Sequence, residues 1–214
     1  MSFSYCSLAV DFASYVSIDT FQCLSQEGLD RVIIRGWRSY GSIDPNFLTN
    51  YFNAAYHFNI STGAVQAYFF PCVGKSATSQ ANEFWQTAKL CHGVVPVWID
   101  LETNPSPGCS WQDYSTEYSC QFVTELAQAL SGLSPRLQYQ GVYSNPNEWI
   151  NLFGSTDACT QASENGAKCW TATWDYISNV TYGFQPFGGF TTPSMKQYEG
   201  NKYLCNLGVD LDSY

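Results

Sequence analysis

The sequence predicts an α/β fold, an irregular eight-stranded barrel in which five βα units are followed by three plain strands. Three observations lead to this prediction. Short apolar runs rich in β-branched and aromatic residues recur, the early runs alternate with helix-like segments, and the late runs do not. At 214 residues the chain has the length of one domain, and we assign residues 1–214 to a single domain.

Each of the first five units pairs a predicted strand with the helix that follows it. Polar residues mark where two of these helices begin: Asp44 is expected to cap the second helix, and Thr78 or Ser79 the third. The predicted strands cover residues 6–11, 31–37, 64–70, 94–101 and 139–143, and the helices cover 17–29, 45–58, 77–91, 116–131 and 147–153.

The last three predicted strands have no helix between them. They cover residues 169–174, 194–198 and 209–213, and Gly, Pro and aromatic residues fill the gaps. A parallel crossover needs about a dozen residues and usually a helix. The short connection at 199–208 therefore favours an antiparallel last strand, which a closed barrel would place beside the first.

Composition argues against two classes of partner. The chain has 18 acidic and 9 basic residues, a formal net charge of −9, whereas nucleic-acid binding needs clustered Lys and Arg. No stretch approaches the ~20 apolar residues of a membrane span. We therefore expect no nucleic-acid partner and no membrane partner. The aromatic content of 17% is high; such rings suit sugar sites, although core packing accounts for most of them.

Nine cysteines and two histidines, with no C-x-x-C pair, argue against a zinc site. Scattered cysteines are typical of an oxidising compartment, with up to four disulfides and one odd thiol. Cys159–Cys169 and Cys109–Cys120 are short local pairings, but spacing leaves the connectivity open.

Two sequons, at residues 59–61 and 179–181, agree with a secretory route. Residues 1–5 lack the basic start and apolar core of a signal peptide. We expect a secreted or lysosomal/phagosomal protein whose leader is absent from the sequence shown.

Two acids close the otherwise apolar fourth strand, Asp100 and Glu102. Side chains at i and i+2 of a strand point to the same face, so these carboxylates are expected to project into one space. Most enzymes that cleave a glycosidic bond use a pair of carboxyl groups.

Two further acids lie on the strands that would close the barrel, Asp11 at the end of the first and Asp210 in the last. Active sites of such barrels gather at the carboxyl ends of the parallel strands. A single strand-end Asp is more often a turn or helix cap. Four acids gathered at one barrel mouth would be a costly cluster of like charge without a function, so all four are candidate catalytic residues.

The chain resembles the lysozymes of glycoside hydrolase family 25, the Chalaropsis type, and particularly their protozoan and nematode branch. The acid pair together with the first-strand and last-strand aspartates is the specific part of the resemblance, which runs from about Ala9 to Tyr214. Its markers are AVDFAS (9–14), TFQCL (20–24), RVIIRGW (31–37), AYFFPC (67–72), PVWIDLE (96–102), GVYSN (141–145), FGGF (187–190), MKQYEGN (195–201) and GVDLDSY (208–214).

The resemblance implies a β-1,4-N-acetylmuramidase that hydrolyses bacterial peptidoglycan after the N-acetylmuramic acid unit, with no metal or organic cofactor. It implies that Glu102 is the general acid and that Asp100 stabilises the oxocarbenium-like centre or orients the substrate's 2-acetamido group. Asp11 and Asp210 match the family's other two site carboxylates. Whether the reaction is retaining, inverting or substrate-assisted depends on the carboxylate separation, which the sequence leaves open.

The chain departs from bacterial members of this family at four places. Ala13 stands where they have the serine of a DxS motif, and Tyr68-Phe69-Phe70 stands where they have a YHF run. Lys196 replaces a Trp, and Asp212 replaces the Asn of a terminal DxN motif. None of these changes removes one of the four carboxylates.

Residues on predicted strands near the barrel mouth are candidates for substrate binding. Trp98, for example, shares the face of Asp100 and Glu102 by the period-2 rule. For each aromatic candidate, core packing is at least as common as stacking on sugar. The candidates are Arg35, Tyr68, Trp98, Tyr143, Trp174, Gln197 and Tyr198.

Two other functions stay open. One is a non-catalytic glycan-binding protein on the same barrel, and the other is a hydrolase of chitin oligomers. For each of these functions we expect a monomer, because the sequence shows no obvious exposed apolar stripe. The expected partner of the enzyme is bacterial peptidoglycan.

Overall fold

The computed structural model describes residues 7–214, and eight of its strands close into a barrel. The strand order around the barrel is β1-β9-β8-β7-β6-β5-β4-β2, and β1 also pairs with β2. The short strand β3 pairs only with β2, outside the ring of eight. The strands are β1 (Leu8–Phe12), β2 (Arg31–Arg38), β3 (Ser42–Ile43), β4 (Val65–Phe69), β5 (Val95–Asp100), β6 (Leu137–Ser144), β7 (Lys168–Ala172), β8 (Met195–Leu204) and β9 (Leu207–Ser213).

Six pairings around the barrel are parallel, from β1–β2 round to β7–β8. Strand β9 is antiparallel to both of its neighbours, β1 and β8. The predicted barrel and its antiparallel last strand are therefore confirmed. Cys205 and Asn206 link β8 to β9 with φ of 52° and 63°, the positive values that a two-residue hairpin turn requires to match the strand twist. The predicted start of the first strand, Cys6, lies outside the described residues.

The five predicted helices are all present. They correspond to α1–α5, and they pack their buried faces against the strands. One further helix, α6, is a single turn before β7 that the sequence periodicity does not predict. The helices are α1 (Ile18–Gln26), α2 (Phe47–Ala54), α3 (Ala77–Ala88), α4 (Thr116–Leu133), α5 (Pro146–Phe153) and α6 (Gln161–Glu164).

The predicted caps of the second and third helices are wrong. Asp44 does not occupy the N-cap position of α2; its carboxylate instead accepts the Asn46 N–H at 2.8 Å and pairs with Arg35 at 2.7 Å. Helix α3 begins one residue earlier than its predicted caps, and the hydroxyl of Ser76 accepts the backbone N–H of Ser79 at 3.2 Å. Several polar residues precede each helix, so composition alone does not select the one with cap geometry.

Strand alternation divides the buried residues into two cores. The larger core lies between the strands and the helices. The smaller core fills the inside of the barrel, and we call it the barrel floor: Ala9, Ile33, Trp98, Tyr143, Trp170 and Met195. Residues two positions after a floor residue face the same interior, which places Asp11 beyond Ala9, Asp100 beyond Trp98 and Gln197 beyond Met195.

Three disulfides link distant parts of the described chain. The short pairings Cys159–Cys169 and Cys109–Cys120 are wrong, because Cys159 is bonded to Cys120, and Cys109 to Cys72. Cys91 and Cys169 are buried free thiols. The disulfides are Cys23–Cys205, Cys72–Cys109 and Cys120–Cys159, with sequence separations of 182, 37 and 39.

The Cys23–Cys205 disulfide ties α1 to the turn of the β8–β9 hairpin. Because it closes a loop of 182 residues, its removal through Cys23→Ala with Cys205→Ala is expected to lower the free energy of unfolding by about 5 kcal/mol. Removing Cys72–Cys109, which closes a loop of 37 residues, is expected to cost about 4 kcal/mol. Guanidinium unfolding of the two double variants measures the difference. A smaller loss for the long loop would contradict the prediction.

Candidate active site

The acid pair lies at the carboxyl end of β5. Asp100 is the last residue of the strand and is buried, while Glu102 lies two residues beyond it and is half-buried. Their carboxyl groups are hydrogen-bonding neighbours. Asp100 Oδ1 is buried and has no hydrogen-bond donor among the described residues. The predicted shared orientation of these side chains is therefore what the structure shows.

Both carboxyl groups of this pair have raised pKa values. Burial raises the pKa of Glu102 to about 7, and the charge of Glu148 adds to the effect. Burial raises the pKa of Asp100 well above its ordinary value, and the charges of Glu102 and Asp11 raise it further. Two carboxyl groups in contact in a buried place resist ionising together. The pair can thus supply a proton to a bound substrate.

Asp11 and Asp210 face each other across the β1–β9 ladder, where they are register partners. Asp11 is buried, and its burial, followed by the charge of Asp210, raises its pKa to about 8. Asp210 is half-buried, which raises its pKa, while a hydrogen bond from the Asn201 N–H at 2.6 Å opposes the rise.

The side-chain amide of Gln197 forms hydrogen bonds to four residues that line the site. Its Nε2 donates to Asp11 Oδ2 at 2.7 Å and to Asp210 Oδ2 at 3.3 Å. Its Oε1 accepts from the Tyr143 hydroxyl at 2.9 Å and from the Trp174 indole N–H at 2.8 Å. Both amide hydrogens and both lone pairs of the oxygen are used, so the orientation of the side chain is fixed.

Trp174 is 54% exposed, yet its position is determined by its surroundings. Besides the bond to Gln197, its ring lies against Gly200, where any Cβ would overlap it. The next residue, Asp175, is bound by the fully buried Lys196, whose Nζ donates to both carboxylate oxygens at 2.8 Å. Lys196 also donates to two carbonyls of the same loop, those of Ile177 and Tyr182. This lysine thereby anchors the loop that presents Trp174.

All four acids line one open cavity of about 280 Å³. A second cavity of about 360 Å³ shares Asp11, Tyr68 and Asp210 with it and extends to residues 201–203 of the β8–β9 hairpin. We call these two adjoining cavities together the cleft. The first cavity is lined by Asp11, Tyr68, Asp100, Glu102, Tyr143, Trp170, Trp174, Gln197 and Asp210.

Three of the candidate binding residues do not line either cavity. Trp98 belongs to the barrel floor; it is 3% exposed and donates to Gln66 Oε1 at 2.7 Å. Arg35 pairs with Asp44 at 2.7 Å. The carbonyl of Tyr198 accepts the Tyr176 N–H at 3.0 Å.

Sequence reasoning missed Trp170 as a residue of the site, and it missed the role of Asp212 beneath it. Trp170 lines the cavity and donates its indole N–H to Asp212 Oδ1 at 2.8 Å. Trp170 lies four residues before Trp174, so the same period-2 rule that selected Trp98 applies to it. Asp212 is likewise two residues after Asp210 and thus on the same face.

These features define the class of the protein. The barrel is largely parallel, and a carboxyl pair, two further aspartates and aromatic walls lie at its carboxyl end. This arrangement is typical of a glycoside hydrolase.

Comparison with known proteins gives the family. Residues 3–198 match the family model described as Lysozyme-like protein 1. "Probable GH family 25 lysozyme 2" of Dictyostelium discoideum is 30% identical over 210 residues, covering 96% of this chain and 89% of that protein. "Probable GH family 25 lysozyme 5" of the same organism is 29% identical, covering 98% and 90%. The chain belongs to the glycoside hydrolase family 25 lysozymes, which confirms the resemblance.

A solved structure shows the same fold. The bacterial lysozyme from Streptomyces coelicolor superposes with a TM-score of 0.74, at 20% sequence identity, covering 99% of this chain and 93% of that one. The barrel is therefore kept while most side chains differ.

The raised carboxyl pKa values predict that the folded protein becomes less stable as pH rises from about 5 to 8. Asp11 and Glu102 have raised pKa values of about 8 and about 7 when folded, against ordinary values of 3.8 and 4.5. At a pH between the ordinary pKa and the folded-state pKa, the folded state holds more protons than the unfolded state. The stability present at low pH is therefore lost as pH rises to the folded-state pKa values.

Thermal unfolding across this range measures the effect, and a melting temperature that rises with pH would contradict it. The double variant Asp11→Asn, Glu102→Gln is the control, because it lacks both titrating groups and should show a flatter dependence.

Proposed function

We propose that the protein hydrolyses the β-1,4 bond that follows N-acetylmuramic acid in bacterial peptidoglycan. The observation that carries the proposal is the buried Asp100–Glu102 pair, which lies with Asp11 and Asp210 in one cleft walled by aromatic rings. Membership of the family 25 lysozymes supports the same bond and the same substrate.

In the proposed reaction Glu102 donates its proton to the glycosidic oxygen. The C–O bond breaks, its electron pair goes to the leaving oxygen, and the sugar that stays behind develops oxocarbenium character. Asp100, adjacent and more deeply buried, orients the 2-acetamido oxygen towards that carbon, and in its ionised form it would also stabilise the positive charge. Water then adds to the sugar, and the proton that it releases returns to Glu102.

Asp11, Asp210 and Gln197 position the reactants in this proposal. The Gln197 amide holds one oxygen of each aspartate, so the remaining oxygens have defined directions. Trp174 offers an exposed ring at one side of the cleft, and Tyr68 lines both cavities. A glycan strand laid along the cleft would contact both rings.

The two other functions find less support. A glycan-binding protein without catalysis does not need a buried pair of acids in its cleft, yet the pair is intact. A chitin-oligomer hydrolase would use the same acids, and mass spectrometry of the products separates it from a muramidase, because only the latter leaves muramic acid at the new reducing end.

We further propose that the protein acts in a secreted or lysosomal/phagosomal setting. Three disulfides within the described residues fit an oxidising compartment. Within residues 7–214 no helix has the length and apolar character to cross a bilayer. A monomer formed of one catalytic domain, residues 1–214, with no nucleic-acid or membrane partner, stays a prediction.

Glu102→Gln is expected to lower the rate of bacterial wall clearing by about 10²–10⁴-fold, because the amide cannot protonate the leaving oxygen. Binding of the variant to sedimented walls should persist, since the shape of the cleft is kept. Turbidity and pelleting assays measure the two properties, with Glu125→Gln on the exposed face of α4 as control. Clearing by Glu102→Gln at the rate of the control would refute its role as the acid.

Glu148→Gln is expected to move the alkaline limb of the pH–rate profile down by about half a pH unit. The Glu148 charge contributes to the raised pKa of Glu102, and the alkaline limb follows ionisation of the acid. Gln retains an oxygen for the Thr103 N–H and hydroxyl, which now bind Glu148 Oε2. The limb of Glu125→Gln should stay in place; an upward movement for Glu148→Gln would contradict the prediction.

A further inference from the structure

Asp212 is a carboxyl group sealed inside the barrel. It is 0% exposed, and its register partners are Ala9 on β1 and Gln197 on β8. Its Oδ1 accepts the Trp170 indole N–H at 2.8 Å. Its Oδ2 is buried and receives no hydrogen bond from any N–H or hydroxyl donor of the described residues.

The titratable groups that face Asp212 carry no positive charge. They are the Asp11 carboxyl on β1, which is its hydrogen-bonding neighbour, Asp210 on its own strand and the Tyr143 phenol on β6. No ion pair within residues 7–214 involves Asp212. The lysine on the adjacent strand, Lys196, is bound to Asp175.

A buried carboxylate without a cation is strongly disfavoured. The unfavourable charge disappears if the group keeps its proton, and the hydroxyl so formed then needs an acceptor. Asp11 is the hydrogen-bonding neighbour that can accept it.

We propose that Asp212 is a neutral carboxylic acid at working pH and that it positions Asp11 by donating a hydrogen bond to it. Asp11 is then held from two sides, by this hydroxyl and by the Gln197 amide at 2.7 Å. Asp212 is a positioning residue, because it acts on the substrate only through Asp11. Its own effect on catalysis rests on the proposed function, whereas its protonation state does not.

The directions of the pKa shifts agree with this assignment. Burial, followed by the charge of Asp11, raises the pKa of Asp212 well above its ordinary value. The hydrogen bond between the two groups raises the pKa of Asp212 further and lowers that of Asp11. Both directions agree with a proton that is held by Asp212 and donated to Asp11.

The protonation state can be measured without any substrate. In protein labelled with ¹³C at aspartate carboxyls, the resonance that disappears in Asp212→Asn belongs to Asp212. We expect it to stay at the position of a protonated acid from about pH 6 to 8, where ordinary aspartates are ionised. A resonance at the carboxylate position at about pH 6 would overturn the proposal, whether or not the protein clears bacterial walls.

The positioning role is tested by two substitutions, one that removes the hydrogen bonds of Asp212 and one that keeps them. Asp212→Leu removes both hydrogen bonds and is expected to lower kcat about tenfold, with KM little changed. Asp212→Asn keeps an oxygen for Trp170 and an N–H for Asp11, and should restore most of the loss.

Circular dichroism and the melting temperature identify a variant that fails to fold, in which case the comparison rests on Asp212→Asn. An ionised Asp212 would make Asp212→Asn move the pH–rate profile, because a charge beside Asp11 would be lost, and that movement would overturn the proposal. Equal kcat for folded Asp212→Leu and the wild type would overturn the positioning role. A wild-type protein that shows the protonated resonance but no clearing would instead refute the proposed function alone.

Discussion

The arrangement of the site depends on the hydrogen bonds of the Gln197 amide. Its four bonds reach Asp11 on β1, Asp210 on β9, Tyr143 on β6 and Trp174 after β7. An amide whose donors and acceptors are all used cannot lose one partner without leaving a buried polar group unsatisfied. The strand registers and the loop that carries Trp174 are therefore coupled through a single side chain, and a slip in any of them disturbs the acids.

None of the four cleft acids forms an ion pair within residues 7–214. Arg35 and Lys196 both start from barrel strands, but each is paired with an aspartate outside the acid cluster, Asp44 and Asp175. Like charges at the centre are consequently relieved by retained protons and by neutral donors such as the Gln197 amide and the Trp170 indole. A cation among the acids would lower their pKa values and remove the proton that Glu102 is proposed to donate.

Period-2 alternation and chain order were enough to predict the barrel and the cavity position of the four acids. They place Asp100 and Glu102 on one face, and closure of the barrel brings Asp11 next to Asp210. Alternation does not tell how far along the barrel axis a residue lies. Trp98 shares the face of the acids but lies one level lower, in the floor, where its indole finds Gln66.

Other features depend on contacts that no local pattern encodes. The disulfides join residues up to 182 positions apart, so short spacing favoured the wrong partners. Each helix cap was chosen by backbone geometry among several polar residues. In the sequence, Asp212 is only an acid in place of an amide. Its role could be inferred only from the structure, where it lies beside Trp170 and Asp11 and forms no ion pair within the described residues.

The antiparallel last strand explains why so much of the site comes from one hairpin. In a regular βα barrel, loops after each parallel strand supply the site. Here β8 continues beyond Gln197 to the turn at residues 205–206 and returns as β9, which passes Asp210 before Asp212. The hairpin thereby supplies the organising amide, one cleft aspartate and the buried acid beneath it, and it forms a wall of the second cavity. The disulfide to α1 at its turn fixes the free end of this hairpin, so the long extension beyond the barrel rim can hold polar groups in defined positions.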